Sequence, residues 1–175
     1  TPHAQDGDTV APAAAVGTLV GPARDLLTAE RLLLNLVGRL SGVATLTQQF
    51  VRQVAGTRAR IYDTRKTTPG WRRLEKFAVR CGGGCNHRTG LFDAVLIKDN
   101  HLAHVSQAGQ GCLSPAEAVD HVRQRLREML PGDAQSTIVE VEVDSLEQLA
   151  LVLPKQPDMV LLDNMPMDAI REAVR

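Results

Sequence analysis

Several features common in proteins are scarce or missing here, and each absence narrows the reading. Cysteine occurs only three times in 175 residues, too few for the disulfide framework of a small secreted domain. No apolar run approaches the length of a membrane span. The N-terminus lacks the charged, apolar and cleavage-site order of a signal peptide. Net charge is also absent, with 20 Lys and Arg against 20 Asp and Glu, whereas a nucleic-acid-binding domain is ordinarily basic as a whole. Together these point to a reduced, cytoplasmic protein with neither membrane nor nucleic acid as partner. A hydrophobic content of 43% allows one medium domain with a real core, or one domain and part of another. The chain opens on Thr1 rather than an initiator Met, and Val174-Arg175 stops within what reads as a helix. A fragment or processed product is therefore expected.

The neutral total hides an asymmetry. From Arg58 to Arg88 there are nine basic residues and two acids, so the remainder carries 11 basic and 18 acidic residues. Within this stretch lie Asp63-Thr64-Arg65-Lys66-Thr67-Thr68-Pro69-Gly70 and Cys81-Gly82-Gly83-Gly84-Cys85-Asn86-His87-Arg88, followed by Leu96-Ile97-Lys98-Asp99-Asn100-His101. A local basic cluster with tight turns and three consecutive glycines reads as a cradle for a small anion. Cys81 and Cys85 beside His87 raise zinc as an alternative. Their spacing falls outside the usual knuckle and no second pair follows at a finger-like distance, so free thiols flanking a glycine turn are preferred.

Residues 1 to 25 alternate short β-branched runs with Gly and Pro, the pattern of small strands and turns, with sheet partners expected upstream. A helix is expected from Thr28, a plausible N-cap. Leu32, Leu33, Leu36, Val37 and Leu40 form its apolar stripe. Ser41-Gly42 should interrupt it, and Val43, Leu46, Phe50 and Val54 continue at helical spacing until Gly56. From there strands and helices alternate: a strand over 59–63, a helix over 69–80 with Trp71, Leu74, Ala78 and Val79 inward, and a buried strand over 93–97. Next come a helix opened by the capping box Ser114-Pro115-Ala116-Glu117, a strand over 137–143, and a helix capped by Asp144 or Ser145 and stopped by Pro154. A buried strand over 158–162 and a helix from Pro166 complete the order. This implies parallel strands with helices outside. An open sheet and a closed barrel both fit, and chemically active residues after every strand favour the barrel. Four strands are too few to close one, so others are expected beyond Arg175.

In the strand over 137–143, Val139, Val141 and Val143 share one face, while Ile138, Glu140 and Glu142 share the other. The valines should meet helices, which turns two carboxylates toward a barrel interior where they need partners. A solvated edge strand is the alternative. Lys98 ends an apolar strand, as a Schiff-base nucleophile, as a lysine merely reaching past the strand end, or, as favoured, as a cation for an anionic substrate. Arg65 and Arg88 suit planar carboxylate recognition. His87 could donate to the same ligand or be structural, and the Thr67-Thr68-Pro69-Gly70 turn offers amides and hydroxyls to an anion. Arg31, off the apolar stripe, reads by itself as a surface residue.

The chain resembles the quinolinate phosphoribosyltransferases, also called nicotinate-nucleotide pyrophosphorylases (carboxylating). The residues that carry the resemblance are Glu30-Arg31 through Leu34-Asn35, Ser41 to Thr45, Asp63 to Gly70, Gly82 to Arg88, Leu96 to His101, Glu140-Val141-Glu142 and Leu161-Leu162-Asp163-Asn164. The resemblance implies an α/β chain: part of an N-terminal α/β sandwich with a helical connection over 1–56, then the first half of an incomplete β/α barrel over 57–175. It implies that Arg65, His87, Arg88 and Lys98 bind the carboxylates of quinolinate. Arg31 would reach into the neighbouring site of a homodimer, Lys66 would contact the phosphates of phosphoribosyl pyrophosphate, and Glu142 and Asp163 would face its ribose and an accompanying magnesium ion (Mg2+). Lys66, Glu142 and Asp163 form the implied catalytic set. The family's later glycine-rich phosphate segment has no counterpart in this sequence. The implied reaction is phosphoribosyl transfer to quinolinate with loss of carbon dioxide, in NAD biosynthesis. Three rivals remain: a related enzyme acting on nicotinate or a similar acid, a Schiff-base aldolase using Lys98, and an anion-binding fragment without turnover. Arg31, Arg65, Arg88 and Lys98 together favour a diacid over a monoacid.

Overall fold

The fold is given by a computed structural model that describes residues 1–98 and 113–175. The expectations placed on Asp99, Asn100 and His101, and the third cysteine, Cys112, lie outside the described residues. Two compact units are present, residues 1–89 and 90–175.

The first unit is built on helix α1, Ala23–Gln53. The expected break at Ser41-Gly42 does not occur: one helix runs through it. A single glycine in a helix costs only about 1 kcal/mol, and the apolar periodicity on either side outweighs that. Nor does Thr28 cap the helix. It sits inside, its hydroxyl donating to the carbonyl of Arg24. Helix α2, Arg72–Cys81, packs on α1. The glycine triplet makes that approach possible, because a Cβ on Gly82 would lie 2.3 Å from the Ala44 carbonyl oxygen and one on Gly84 would lie 2.8 Å from Thr47. Gly82 and Gly84 therefore have a packing role against α1. Much of the apolar stripe on α1, including Leu32, Leu33 and Val37, is exposed, contrary to the amphipathic reading. The expected strand over 59–63 reduces to one parallel bridge, Tyr62 with Cys85, closed by bonds from Cys85 N to Ile61 O and from Asp63 N to Cys85 O. The N-terminal segment likewise makes a single bridge, Pro2 with Gly17.

The second unit has the expected alternation: β1 Ala94–Ile97, α3 Pro115–Met129, β2 Ile138–Val143, α4 Leu146–Val152, β3 Met159–Leu162 and α5 Met167–Ala173. The strands are parallel and lie in chain order, the progression of a partial β/α barrel. Ser114 and Glu117 form the anticipated capping box on α3, and Ser145 rather than Asp144 caps α4. Pro154 falls in the 3₁₀ turn Leu153–Lys155 that ends α4. Val139, Val141 and Val143 are fully buried and join Val119, Leu149 and Val152 from the helices in one core. Each such side chain contributes about 1.5–3 kcal/mol over an exposed one. β3 is less buried than its apolar sequence implied, with Met159 and Leu161 exposed, because it is the last strand of the described sheet. Among the described residues no helix is long and apolar enough to cross a membrane.

Candidate active site

In the first unit the basic residues sit on two loops joined by buried side chains. Asp63 is the hub. Its Oδ1 accepts from Lys76 Nζ at 2.5 Å and from the His87 amide at 2.8 Å, and its Oδ2 accepts from Asn86 Nδ2 at 2.6 Å. Lys76 Nζ also donates to the His87 carbonyl at 3.0 Å. Asp63 and Lys76 are 7% and 5% exposed, so each neutralises a charge that would be costly to bury alone. The loop bearing Arg65 and Lys66 is thereby tied to the loop bearing His87 and Arg88. Arg65 is half-buried, and its Nε is buried with no acceptor among the described residues. Lys66 is exposed, its amide donating to Thr64 Oγ1. Arg31 stands exposed on α1.

The Thr67-Thr68-Pro69-Gly70 turn is not the open anion site its sequence suggested. α2 begins at Arg72, after a turn in which Gly70 adopts a φ of +78°, a conformation that glycine enters without steric cost. The amide and hydroxyl of Thr68 are taken by the Glu75 carboxylate at 3.1 and 2.7 Å, and Thr67 Oγ1 accepts from Arg72 Nε at 3.3 Å. The protein thus supplies its own anion. Arg39 of α1 donates to the same carboxylate at 2.8 Å. That bond, reinforced by those from Thr68, holds the Glu75 carboxyl below the usual glutamate range. On helix α2 Ala78 is buried, and Val79 and the N-cap Trp71 are half-buried, as expected. Leu74 is exposed instead, and Glu75 and Lys76 are buried, because the two ionic groups find partners on α1 and the loops.

In the second unit the site residues follow from sheet register. Ile97 pairs with Val141, and Glu142 with Leu161. Lys98, Glu142 and Asp163 therefore collect at the carboxyl ends of three adjacent parallel strands, where β/α proteins place their chemistry. Lys98 Nζ donates to Glu142 Oε2. The amide of Asp163 donates to Val143 O at 2.9 Å, and its Oδ2 accepts from Asn164 Nδ2 at 3.0 Å. Asn164 takes the left-handed φ of +51° that Asn tolerates better than most residues. Glu140, on the same face as Glu142, is 2% exposed, so this face is not the solvated edge that was the alternative. Among the described residues no three His, Cys, Asp or Glu converge as a metal cage. Magnesium needs no such cage, because one or two carboxylates with substrate phosphates suffice. Glu142 and Asp163 fit that requirement.

The sequence reading missed Lys76, Arg72, Glu75 and Asn86 as partners of the site loops. A lysine and a glutamate adjacent on an amphipathic helix carry no signal that they point inward. Asp63, two residues before Arg65, was the available hint, since one of only two acids in a basic stretch calls for a partner.

Comparison with known proteins divides the chain at a different point from the two compact units. The pattern described as quinolinate phosphoribosyl transferase, C-terminal domain, matches residues 43–175, and that of the N-terminal domain matches residues 1–41. The two meet inside α1. A nicotinate-nucleotide pyrophosphorylase (carboxylating) of Mycobacterium leprae is 51% identical over 158 residues, covering 90% of this chain and 50% of that protein. A probable enzyme of the same name from Bacillus subtilis is 44% identical over 169 residues, covering 97% and 54%. The solved structure of the nicotinate-nucleotide pyrophosphorylase from Francisella tularensis superposes with a TM-score of 0.83 at 40% identity, covering 99% of this chain and 57% of that one. The chain spans about half the length of the curated relatives it matches.

Proposed function

The chain belongs to the quinolinate phosphoribosyl transferase family, and on that premise we propose that the full-length protein transfers phosphoribosyl from phosphoribosyl pyrophosphate to quinolinate. Carbon dioxide is lost, and the step serves NAD biosynthesis. The observation that carries this reading is the pairing of two arginine-bearing loops, with a buried Arg65 Nε that meets no acceptor among the described residues. A donor so placed calls for a planar anion.

Arg65, His87 and Arg88 hold the diacid by its carboxylates and orient the ring, whose nitrogen attacks C1 of the ribose as the bond to pyrophosphate breaks. Orientation of this kind is worth several kcal/mol, up to about 7–11 in well-aligned systems. Lys66 meets the departing phosphates. Lys98, paired with Glu142, exchanges that carboxylate for one on the substrate, and Glu142 and Asp163 orient the ribose hydroxyls and favour positive charge on the sugar. Loss of the adjacent carboxylate as carbon dioxide leaves its electron pair on that ring carbon, where the neighbouring cationic nitrogen stabilises it, and a proton from solvent adds there to complete nicotinate mononucleotide. Glu142 and Asp163 would also hold magnesium, which offsets charge on the pyrophosphate when bound. The protein works in the cytoplasm as a homodimer with Arg31 serving the neighbouring site.

Steady-state assays of the full-length protein with quinolinate and with nicotinate test the reading. Quinolinate should be strongly preferred, and equal or faster turnover of nicotinate would overturn it. Mixing Arg31→Ala with Lys98→Ala subunits should restore part of the activity lost in each, and no recovery would count against a shared site.

A further inference from the structure

Of the four cations on helix α2, Arg72 and Lys76, one turn apart, donate to the loops that carry Arg65 and Arg88. We infer that they are positioning residues that fix the Arg65 loop against the His87-Arg88 loop and so determine affinity for the diacid. The inference rests on the reading of Arg65 and Arg88 as its ligands.

Arg72 spans the two loops. Its Nη2 donates to the Arg65 carbonyl at 3.4 Å and its Nη1 to the Thr89 carbonyl at 3.1 Å. Lys76 donates to the His87 carbonyl and to Asp63, whose other oxygen holds Asn86. Asn86 Nδ2 returns to the Lys76 carbonyl at 2.9 Å. Three carbonyls are therefore held from one helix: that of Arg65 itself and those on either side of Arg88. Each arginine fork owes its place to a backbone anchored at or beside its own residue. Arg72 Nε also donates to Thr67 Oγ1 at 3.3 Å, but none of these bonds is made to Lys66 itself, whose amide is held by Thr64.

The two cations act differently. Guanidinium is a planar fork that fixes the angle between two acceptors, whereas ammonium is a point charge. A buried ion pair such as Lys76 with Asp63 adds little net stability over apolar packing. Its use here is geometric: it joins two segments that, among the described residues, share one bridge of backbone pairing. Planar recognition of two carboxylates is sensitive to such geometry, since a displacement of about 1 Å can cost on the order of 100-fold.

Arg72→Lys keeps the charge and removes the fork. Asp63→Asn combined with Lys76→Met removes both charges and leaves neither uncompensated. Both variants are to be made in the full-length protein. Calorimetric titrations with quinolinate and, separately, with phosphoribosyl pyrophosphate then supply the readout, alongside hydrogen exchange at the His87 amide. Quinolinate affinity should fall about 10-fold in Arg72→Lys and about 10- to 100-fold in the double variant, with KM for quinolinate rising while kcat is retained. Affinity for phosphoribosyl pyrophosphate should stay within about threefold, and His87 exchange should quicken in the double variant. Unchanged quinolinate affinity, or equal weakening toward both substrates, overturns the inference alone. Wild-type protein that binds no quinolinate overturns the functional reading and the inference with it.

Discussion

The two units place their chemical groups by different physical means. In residues 90–175, Lys98, Glu142 and Asp163 stand at strand ends whose positions follow from parallel backbone pairing, over a core of fully buried valines. In residues 1–89, Arg65, His87 and Arg88 stand on loops that, among the described residues, share one bridge of backbone pairing and are held by Asp63, Lys76, Asn86 and Arg72. Backbone pairing tolerates loss of a side chain, because register is shared over many bonds. A side-chain network does not, because each member satisfies a buried partner.

The sharpest way to break this comparison is Asp63→Ala, which leaves the Lys76 ammonium buried without its carboxylate. The first unit should lose about 3–5 kcal/mol, read from urea titration, and a loss below about 1 kcal/mol would mean that the loops are not held by this pair. Next comes Val141→Ala in the second unit. A fully buried valine truncated there should cost about 2 kcal/mol. Glu142→Gln, opposite a Lys98 that is 39% exposed, should shift stability by about 1 kcal/mol or less. A larger loss from Glu142→Gln than from Val141→Ala would show that side chains, not register, hold this unit together. Ser114→Ala removes one half of the α3 capping box and should cost about 1 kcal/mol in the same titration.

The smallest effect concerns acid. The Glu75 carboxyl, lowered chiefly by Arg39 and then by Thr68, gives up its proton more readily in the folded state than in the unfolded one. Its contribution is complete above the ordinary glutamate range and drains away as pH falls through the lowered folded value. Glu75→Gln should flatten this part of the acid limb in a stability-against-pH series. An unaltered limb would show that Arg39 and Thr68 do not govern it.

Legibility in the sequence followed the same division. In the second unit Ser114 to Glu117, the alternating valines and Pro154 all announced their roles, because capping and period-two burial are local rules. The position of Asp163 and Glu142 at strand ends was legible because strand ends can be read from an apolar run. In the first unit local rules misled. Ser41-Gly42 reads as a break, yet α1 is continuous. The packing of Gly82 and Gly84 against Ala44 and Thr47 has no sign in the local sequence. Thr68 reads as an open anion site, yet Glu75 fills it.

The sequence by itself determined the α/β class, the parallel alternation from residue 94 onward and the core face of β2. Periodicity, caps and short motifs are properties of neighbours in the chain, so they survive without coordinates. Tertiary structure alone decided that Lys76 and Glu75 turn inward, that Asp63 serves as hub and that Lys98 meets Glu142. Those facts depend on which distant groups share a low-dielectric space, where a buried charge must find its opposite, and residues 13 to 44 positions apart in the chain meet there.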